Sequence, residues 1–347
     1  MTSLIENASV NSIECTACKS SWLKREGVYQ FGSDLYWGEV PEQNMRSYLD
    51  TIPKKGIEQA TQDLIHELDN NIDLYRFFFD SSRADWRFGT EIKSTDRVLD
   101  VGCGMGGNTF ALCDIAKEIV SFDLSWMRAK FVQLRAQHEG KTNIQVFSAD
   151  FINLPLKEEQ FDVVIFNGIL EWIGQDMKFA DPYDVQVWVM QKVFRLLKPG
   201  GRFYIGIENR WAISYLTGTP DHVGLRWTSW MPRFLARPYT KLRLGIDYRT
   251  YTHSQPGYIR LLQKGGFTNI RTMMPFPGYN DQRILIPFEN TACLAYTMDH
   301  LMGNLNWKKR IVKKLARIPG ILWLYRYFFF SYNLYAVKHD ITYDSAA

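Results

Sequence analysis

From Arg97 onward the chain predicts an α/β fold built on a mostly parallel sheet with helices on both faces. Three observations carry this. Short β-branched runs alternate with amphipathic stretches, the mark of βαβ units. A glycine-rich turn, Gly102-Cys103-Gly104-Met105-Gly106-Gly107, separates the first such run from the first helical stretch. Successive runs end near a polar residue, Asp100, Asp123, Asp150 and Asn167, at the carboxyl edge where open α/β sheets bind ligands.

Element by element, the pattern predicts strands at 97–101, 118–122, 143–147, 161–166 and 202–207. Helices are predicted near 108–116, 126–138 and 182–197. The last should stop at Lys198-Pro199-Gly200-Gly201, where Pro cannot continue it and Gly permits a left-handed exit. Upstream, Ile57, Leu64, Ile65, Leu68, Ile72 and Leu74 recur at near-helical spacing across 44–88. Residues 1–43 are mixed, with one Cys15-x-x-Cys18. Residues 208–253 lack periodicity, and a loop of that length in a compact domain is usually functional. A helix at 254–264 with Ser254 as N-cap, a strand at 269–274, a basic helix at 308–317 and a strand at 329–337 complete the reading.

Length and composition set limits. The 347 residues suit about two domains, or one with large additions. Hydrophobic residues at 46% and charged residues at 22% exclude a disordered or fibrous chain. A net charge of +4 is too small to imply nucleic acid, and no RNA-recognition module is visible. The charge is uneven: −5 over residues 1–90, +6 over 200–260 and +6 over 300–347. A basic C-terminal half fits an anionic substrate, an anionic membrane surface or RNA, or else a solvated basic face. Five cysteines, an odd count, argue for a reducing compartment. The N-terminus lacks a basic segment followed by an apolar run, and the most apolar stretch, 318–337, is broken by Pro319, Gly320, Arg326, Ser331 and Asn333. A soluble, cytoplasmic protein is expected, with peripheral contact to the inner membrane face open through the basic 308–317 segment.

The glycine turn has two ligand readings. Gly102-x-Gly104-x-x-Gly107 is also a dinucleotide fingerprint, so NAD is a rival, and a purely structural turn is a third option. Asp100, two residues before the first glycine, would repel a pyrophosphate but welcome an ammonium. Asp123 stands where a carboxylate accepts ribose hydroxyls. Ser148-Ala-Asp150-Phe151 pairs an acceptor for an adenine amino group with an aromatic wall.

Val98–Gly107, Phe122-Asp123-Leu124-Ser125, Ser148–Phe151, Phe161–Gly168 and Leu196–Arg202 resemble, in order and spacing, the motifs of class I S-adenosylmethionine-dependent methyltransferases. The resemblance spans about residues 75–275. It implies a Rossmann-like seven-stranded sheet of order 3-2-1-4-5-7-6, with the last strand antiparallel. It also implies S-adenosyl-L-methionine as cofactor, held by Asp100, Gly102, Gly104, Asp123, Leu124, Asp150, Phe151 and Asn167. On that reading the chain divides into an N-terminal segment, 1–43, and one methyltransferase domain, 44–347. The domain comprises a helical lid (44–90), a cofactor-binding core (91–207), an acceptor-site insert (208–253) and the remaining sheet with the basic helix (254–347). Arg83-Ala-Asp-Trp86, Asn167-Gly-Ile-Leu-Glu171-Trp172, Ile207-Glu208-Asn209-Arg210 and Pro220-Asp221-His222-x-Gly224 are similar to methyltransferases of bacterial surface-polysaccharide assembly.

In-line methyl transfer mostly needs positioning, plus a base when the acceptor is a hydroxyl. His222 and His253 lie in the insert and at its exit, and imidazole titrates near neutrality. His222 is preferred, because Asp221 and Glu208 could orient it; Glu171 is expected to face the acceptor, and Trp172 either faces it or packs in the core. The insert leaves the fifth strand at the cofactor edge, and its Trp211, Trp227, Trp230 and excess of Arg suit sugar or base rings and phosphate. The acceptor is expected to be a glycan or lipid- or nucleotide-linked sugar hydroxyl. A small aromatic or quinone-like metabolite is the alternative, and an inactive cofactor-binding scaffold the different-class one. Cys15 and Cys18 form half a zinc ribbon or two ordinary thiols; four ligands are the norm, so no metal is expected.

Overall fold

The computed structural model describes residues 4–7, 11–16, 19–32, 34–69, 71, 73–177, 180–301, 310, 314, 318 and 320–339. Cys18 and most of the basic 308–317 segment lie outside them. The chain forms two compact units, one of Met1–Ala84 with Ile92–Ile165 and one of Asp85–Glu91 with Phe166–Ala347.

The first unit opens with four short strands, β1 (Leu4–Asn7), β2 (Ser12–Cys15), β3 (Ser21–Arg25) and β4 (Val28–Phe31), paired in antiparallel succession. Helices α1 (Glu42–Lys55), α2 (Ile57–Glu67) and α3 (Asp73–Phe79) follow. The βαβ core then runs β5 (Arg97–Val101), α4 (Gly107–Cys113), β6 (Glu118–Asp123), α5 (Trp126–His138) and β7 (Ile144–Ala149). Strand β6 pairs in parallel with β5 and β7, and β4 joins the far side of β7, also in parallel. Val98, Leu99 and Ile119 are buried because a sheet covered by helices hides both faces of a strand. Tyr48 of α1 stacks on Phe78 of α3 and on Phe131 of α5, tying the N-terminal helices to the core.

Strand β8 (Phe161–Asn167) carries the chain into the second unit, which continues with α6 (Pro182–Leu196), β9 (Leu197–Glu208), α7 (Ile213–Leu216), α8 (Arg233–Leu244) and α9 (Gln255–Lys264). Strands β10 (Asn269–Gly278) and β11 (Asp281–Pro287) precede α10 (Thr291–Tyr296) and α11 (Ile321–Tyr325), and β12 (Ser331–Val337) comes last. The strand order here is β9-β12-β10-β11, with β12 antiparallel to both neighbours. Trp86 stacks on Tyr204 at 4.1 Å, and its carbonyl accepts the Tyr335 hydroxyl.

The structure keeps the expected orders 3-2-1 and 5-7-6, one in each unit, and corrects the strand count. Strands β1–β4 and β11 exceed the seven expected. The stretch 208–253 is not structureless, since it holds α7 and α8. Helix α6 ends before Lys198, but β9 runs through Pro199-Gly200-Gly201, because the Gly200 N–H bonds the Lys338 carbonyl and the Lys338 N–H bonds that of Gly201. Ser254 occupies the N-cap position of α9, yet its hydroxyl caps no N–H. No helix among the described residues is long and apolar enough to cross a membrane.

Candidate active site

The carboxyl end of β5 and the start of α4 form the glycine turn in the first unit. Gly104 has φ +55°, a left-handed conformation natural to glycine, and donates its N–H to Asp123 Oδ2 at 2.9 Å. A Cβ there would have no atom nearer than Arg128 at 3.9 Å, so the backbone face stands open to a ligand. Asp123 Oδ1 takes the Ser125 N–H, which orients the carboxylate from below the first turn of α5. Gly102 shares the left-handed conformation.

Asp100 is buried and accepts from the Thr109 hydroxyl at 2.7 Å, and Thr109 in turn meets Ser121. Burial pushes its carboxyl up to about 6, against the Thr109 bond and the Arg83 charge, while Asp123 pushes it further up. A buried acid held this high favours a cationic neighbour. Phe151 is buried and stacks on Phe122, with centroids 6.0 Å apart. Asp150 spends its oxygens on the Ile152 N–H and the Asn153 amide, a turn role that still leaves lone pairs. The Leu124 carbonyl accepts the Ser148 hydroxyl.

Asn167 belongs to the second unit. Its Oδ1 accepts from the Tyr204 hydroxyl at 3.4 Å, and its buried Nδ2 has no hydrogen-bond partner.

The same unit assembles Glu171, Glu208 and His222. Glu171 lies in a short 3-10 turn (Leu170–Trp172) after β8, and Glu208 is the last residue of β9. His222 sits inside a β-turn, where Asp221 accepts the Val223 N–H through its side chain and the Gly224 N–H through its carbonyl. His222 Nε2 is 3.6 Å from Glu208 Oε1 and 3.8 Å from Glu171 Oε1, and the Trp172 ring meets the imidazole edge-on at 5.2 Å. Tyr279 donates to Glu208 Oε1, and Tyr258 to the Glu208 carbonyl. Gly168 (φ +72°) lets Tyr279 approach, since a Cβ there would fall 2.8 Å from the phenol oxygen.

Burial first, then Glu208, holds the Glu171 carboxyl well above the usual carboxylate range. Burial opposes a charged His222, but Glu208 and then Glu171 outweigh it and push the imidazole up to about 9. Burial likewise opposes a charged Glu208, and His222 more than offsets it, holding that carboxyl below its ordinary value. The Oε2 atoms of both acids are buried without partners. Glu208, His222, Tyr215 and Tyr279 line a cleft of about 460 Å³. The three ligand atoms also lie within 4.8 Å of one another, so the trio could hold a metal ion.

The structure thus brings Glu171, Glu208 and His222 together. Asp221 instead engages Tyr248 and its own turn. His253 lines a different cleft and is hydrogen-bonded to Gln186. The acids' shared role at His222 had no spacing signal, because the three residues come from three separate segments. Asn209, beside Glu208, reaches the carbonyls of Tyr327 and Phe329 and anchors the strand end.

Residues 92–223 match a family model described as a methyltransferase domain. Among curated proteins, the chain is 26% identical over 153 residues to a demethylmenaquinone methyltransferase of Lactococcus lactis, covering 42% of this chain and 57% of that protein. It is 26% identical to a probable S-adenosylmethionine-dependent methyltransferase of Mycolicibacterium smegmatis, covering 35% and 42%. A ubiquinone biosynthesis O-methyltransferase of Paracidovorax citrulli is 31% identical, over 39% and 52%. The chain spans about half the length of these relatives. The matched residues 92–223 run from the turn before β5 to the turn that carries His222.

Proposed function

We propose that this protein is an S-adenosylmethionine-dependent methyltransferase that methylates a hydroxyl, with His222 as the base. The observation that carries the reading is the trio of Glu171, Glu208 and His222, with Glu208 and His222 lining a cleft, in a chain whose glycine turn carries the buried acid Asp100. S-adenosylmethionine, when bound, supplies a methyl group activated by its sulfonium. Asp100 would hold the ammonium, Gly102 and Gly104 the methionine backbone, Asp123 the ribose, and Asp150, Phe151 and Leu124 the adenine. Asn167, in the second unit, keeps an uncommitted amide donor for a ligand.

Glu208 and Glu171 lie toward Nε2, so the neutral imidazole keeps its proton there and offers Nδ1 to the acceptor hydroxyl. The imidazolium formed is stabilised by the Glu208 carboxylate, the logic of an acid–histidine pair in acyl transfer. The preferred acceptor is a glycan or linked-sugar hydroxyl, on the acid–histidine trio and the insert's aromatic rings. A second reading, a small quinone-like phenol, is favoured by the likeness to the demethylmenaquinone and ubiquinone-biosynthesis methyltransferases.

Incubation of the protein with methyl-labelled S-adenosylmethionine and a bacterial lysate separates these. Label in a polysaccharide or sugar-phosphate fraction supports the glycan, and label in the organic extract supports the quinone. Tight S-adenosylhomocysteine binding with no labelled product would favour the inactive scaffold, and NAD binding in its place would sink the cofactor assignment.

A further inference from the structure

The second unit has another cleft, of about 430 Å³, with the opposite charge. Arg210, Arg233, Arg237 and Arg260 line it against one carboxylate, Asp181. That acid is already committed: it accepts from Arg237 at 2.7 Å and from the Tyr183 N–H at the head of α6. Arg210 and Arg233 are partly buried, and their hydrogen bonds go to neutral main-chain oxygens. Arg210 donates to the Ser229 and Met231 carbonyls, and Arg233 to that of Thr252 while lying over the Tyr251 ring at 3.4 Å. Among the described residues, no acid pairs with either.

The rest of the cleft adds no negative charge. Gln186 gives its amide hydrogens to the Leu170 and Tyr251 carbonyls, so its oxygen must accept the His253 Nε2 proton at 2.7 Å. Burial, then Arg233, Arg210 and Arg260, hold that imidazole neutral, down at about 3. Burial, then Arg210, likewise push Arg233 down to about 10. Gly257, in the first turn of α9, also lines the cleft, and the Ser254 hydroxyl leaves that helix start uncapped. Like charges gathered in a cleft and balanced only by neutral dipoles are costly until an anion joins them.

We propose that this cleft binds the phosphate or diphosphate group of a ligand, with Arg210 and Arg233 as inner donors and Arg260 at the rim. Each inner guanidinium has N–H groups beyond those already used, and its planar fork matches phosphate oxygens. Convergence of more than two arginines supplies more donors than a single carboxylate can accept, which favours a phosphate. The start of α9 points the same way, since helix N-termini attract anions.

The test is calorimetric titration of the full chain with sodium pyrophosphate, at ionic strength fixed by chloride. Saturable binding is expected, weakened roughly tenfold or more in Arg233→Gln and about threefold in Arg260→Gln. Arg260 is exposed and makes no hydrogen bond among the described residues, so its substitution spares the fold even where Arg233→Gln does not. The His253 ring signals should move on addition of pyrophosphate in nuclear magnetic resonance spectra. If the phosphate is carried by a lipid, wild type should sediment with phosphatidylcholine vesicles containing phosphatidic acid and Arg260→Gln should do so less. No saturable binding of either probe, or equal affinity in wild type and both variants, overturns the proposal. Titration with S-adenosylhomocysteine, run separately, reports on the glycine turn, so failure there leaves this result readable.

Discussion

Asp100 and Asp123 are held by neighbours close along the chain, whereas Glu171 and Glu208 reach His222 from three separate segments. In the first unit, Thr109 satisfies Asp100, and the N–H groups of Gly104 and Ser125 satisfy Asp123. In the second, both glutamates leave a buried Oε2 without a partner, and each of the three charges bears on the other two. Local donors fix an acid's direction and suit binding. Distant acids with spare oxygens around a histidine make a centre whose charge can change, which suits chemistry.

The sharpest break of this contrast is His222→Gln. Turnover of the lysate acceptor should fall about 10²–10⁴-fold while S-adenosylhomocysteine affinity stays unchanged. A wild-type rate would leave the trio with no role in proton transfer. Asp123→Ala should do the reverse, weakening S-adenosylhomocysteine binding roughly 10–150-fold by calorimetry; unchanged affinity would remove Asp123 from the cofactor site.

The pH dependence sharpens the comparison further. With His222 raised from 6.5 to about 9, its neutral form grows with pH, so the turnover rate should climb about tenfold per pH unit and level off near 9. Glu208→Gln removes the largest contribution raising that histidine, so the rising limb should move to lower pH. Stability runs the other way. The folded histidine binds its proton more tightly than the unfolded one, so its contribution is full below about 6.5 and lost as pH rises through about 9. Melting temperature measured across this window should fall more steeply in wild type than in His222→Gln.

Smaller effects test the scaffolding. Gly168→Ala should cost about 1–3 kcal/mol in urea unfolding, because its Cβ meets Tyr279 and its φ is positive. Ser254→Ala should change stability by less than about 0.5 kcal/mol, since that hydroxyl caps nothing, whereas Asp181→Ala should cost about 0.5–2 kcal/mol.

What the sequence made legible follows from how local each signal is. Strand β5 and helix α5 have the expected bounds, because their apolar residues face one core and their ends carry polar stops. Helix α8 stayed hidden because Phe234, Leu235, Leu242 and Leu244 are exposed and Pro238 lies inside it, so no buried stripe marks its period. Strands β1–β4 are four or five residues long, too short to show alternation. At the site, the glycine turn and its acids were readable within one βαβ unit. Glu171 was visible only as a residue type after a strand end and His222 as a histidine of the insert that Glu208 could orient, and the excess of arginine in the insert did not reveal that three of them share a cleft with Arg260.

Strand β12 follows β10 and β11 along the chain, yet it lies between β9 and β10, and its Ser331 sits opposite Glu208 in the register. A nascent chain released before Phe330 would lack the partner that aligns the end of β9 and the carbonyl that binds the Asn209 N–H. Because side chains alternate along a strand, a shift of one residue there would turn Glu208 to the opposite face. Products that stop before β12 should therefore be silent rather than partly active, because the strand that aligns Glu208 is missing.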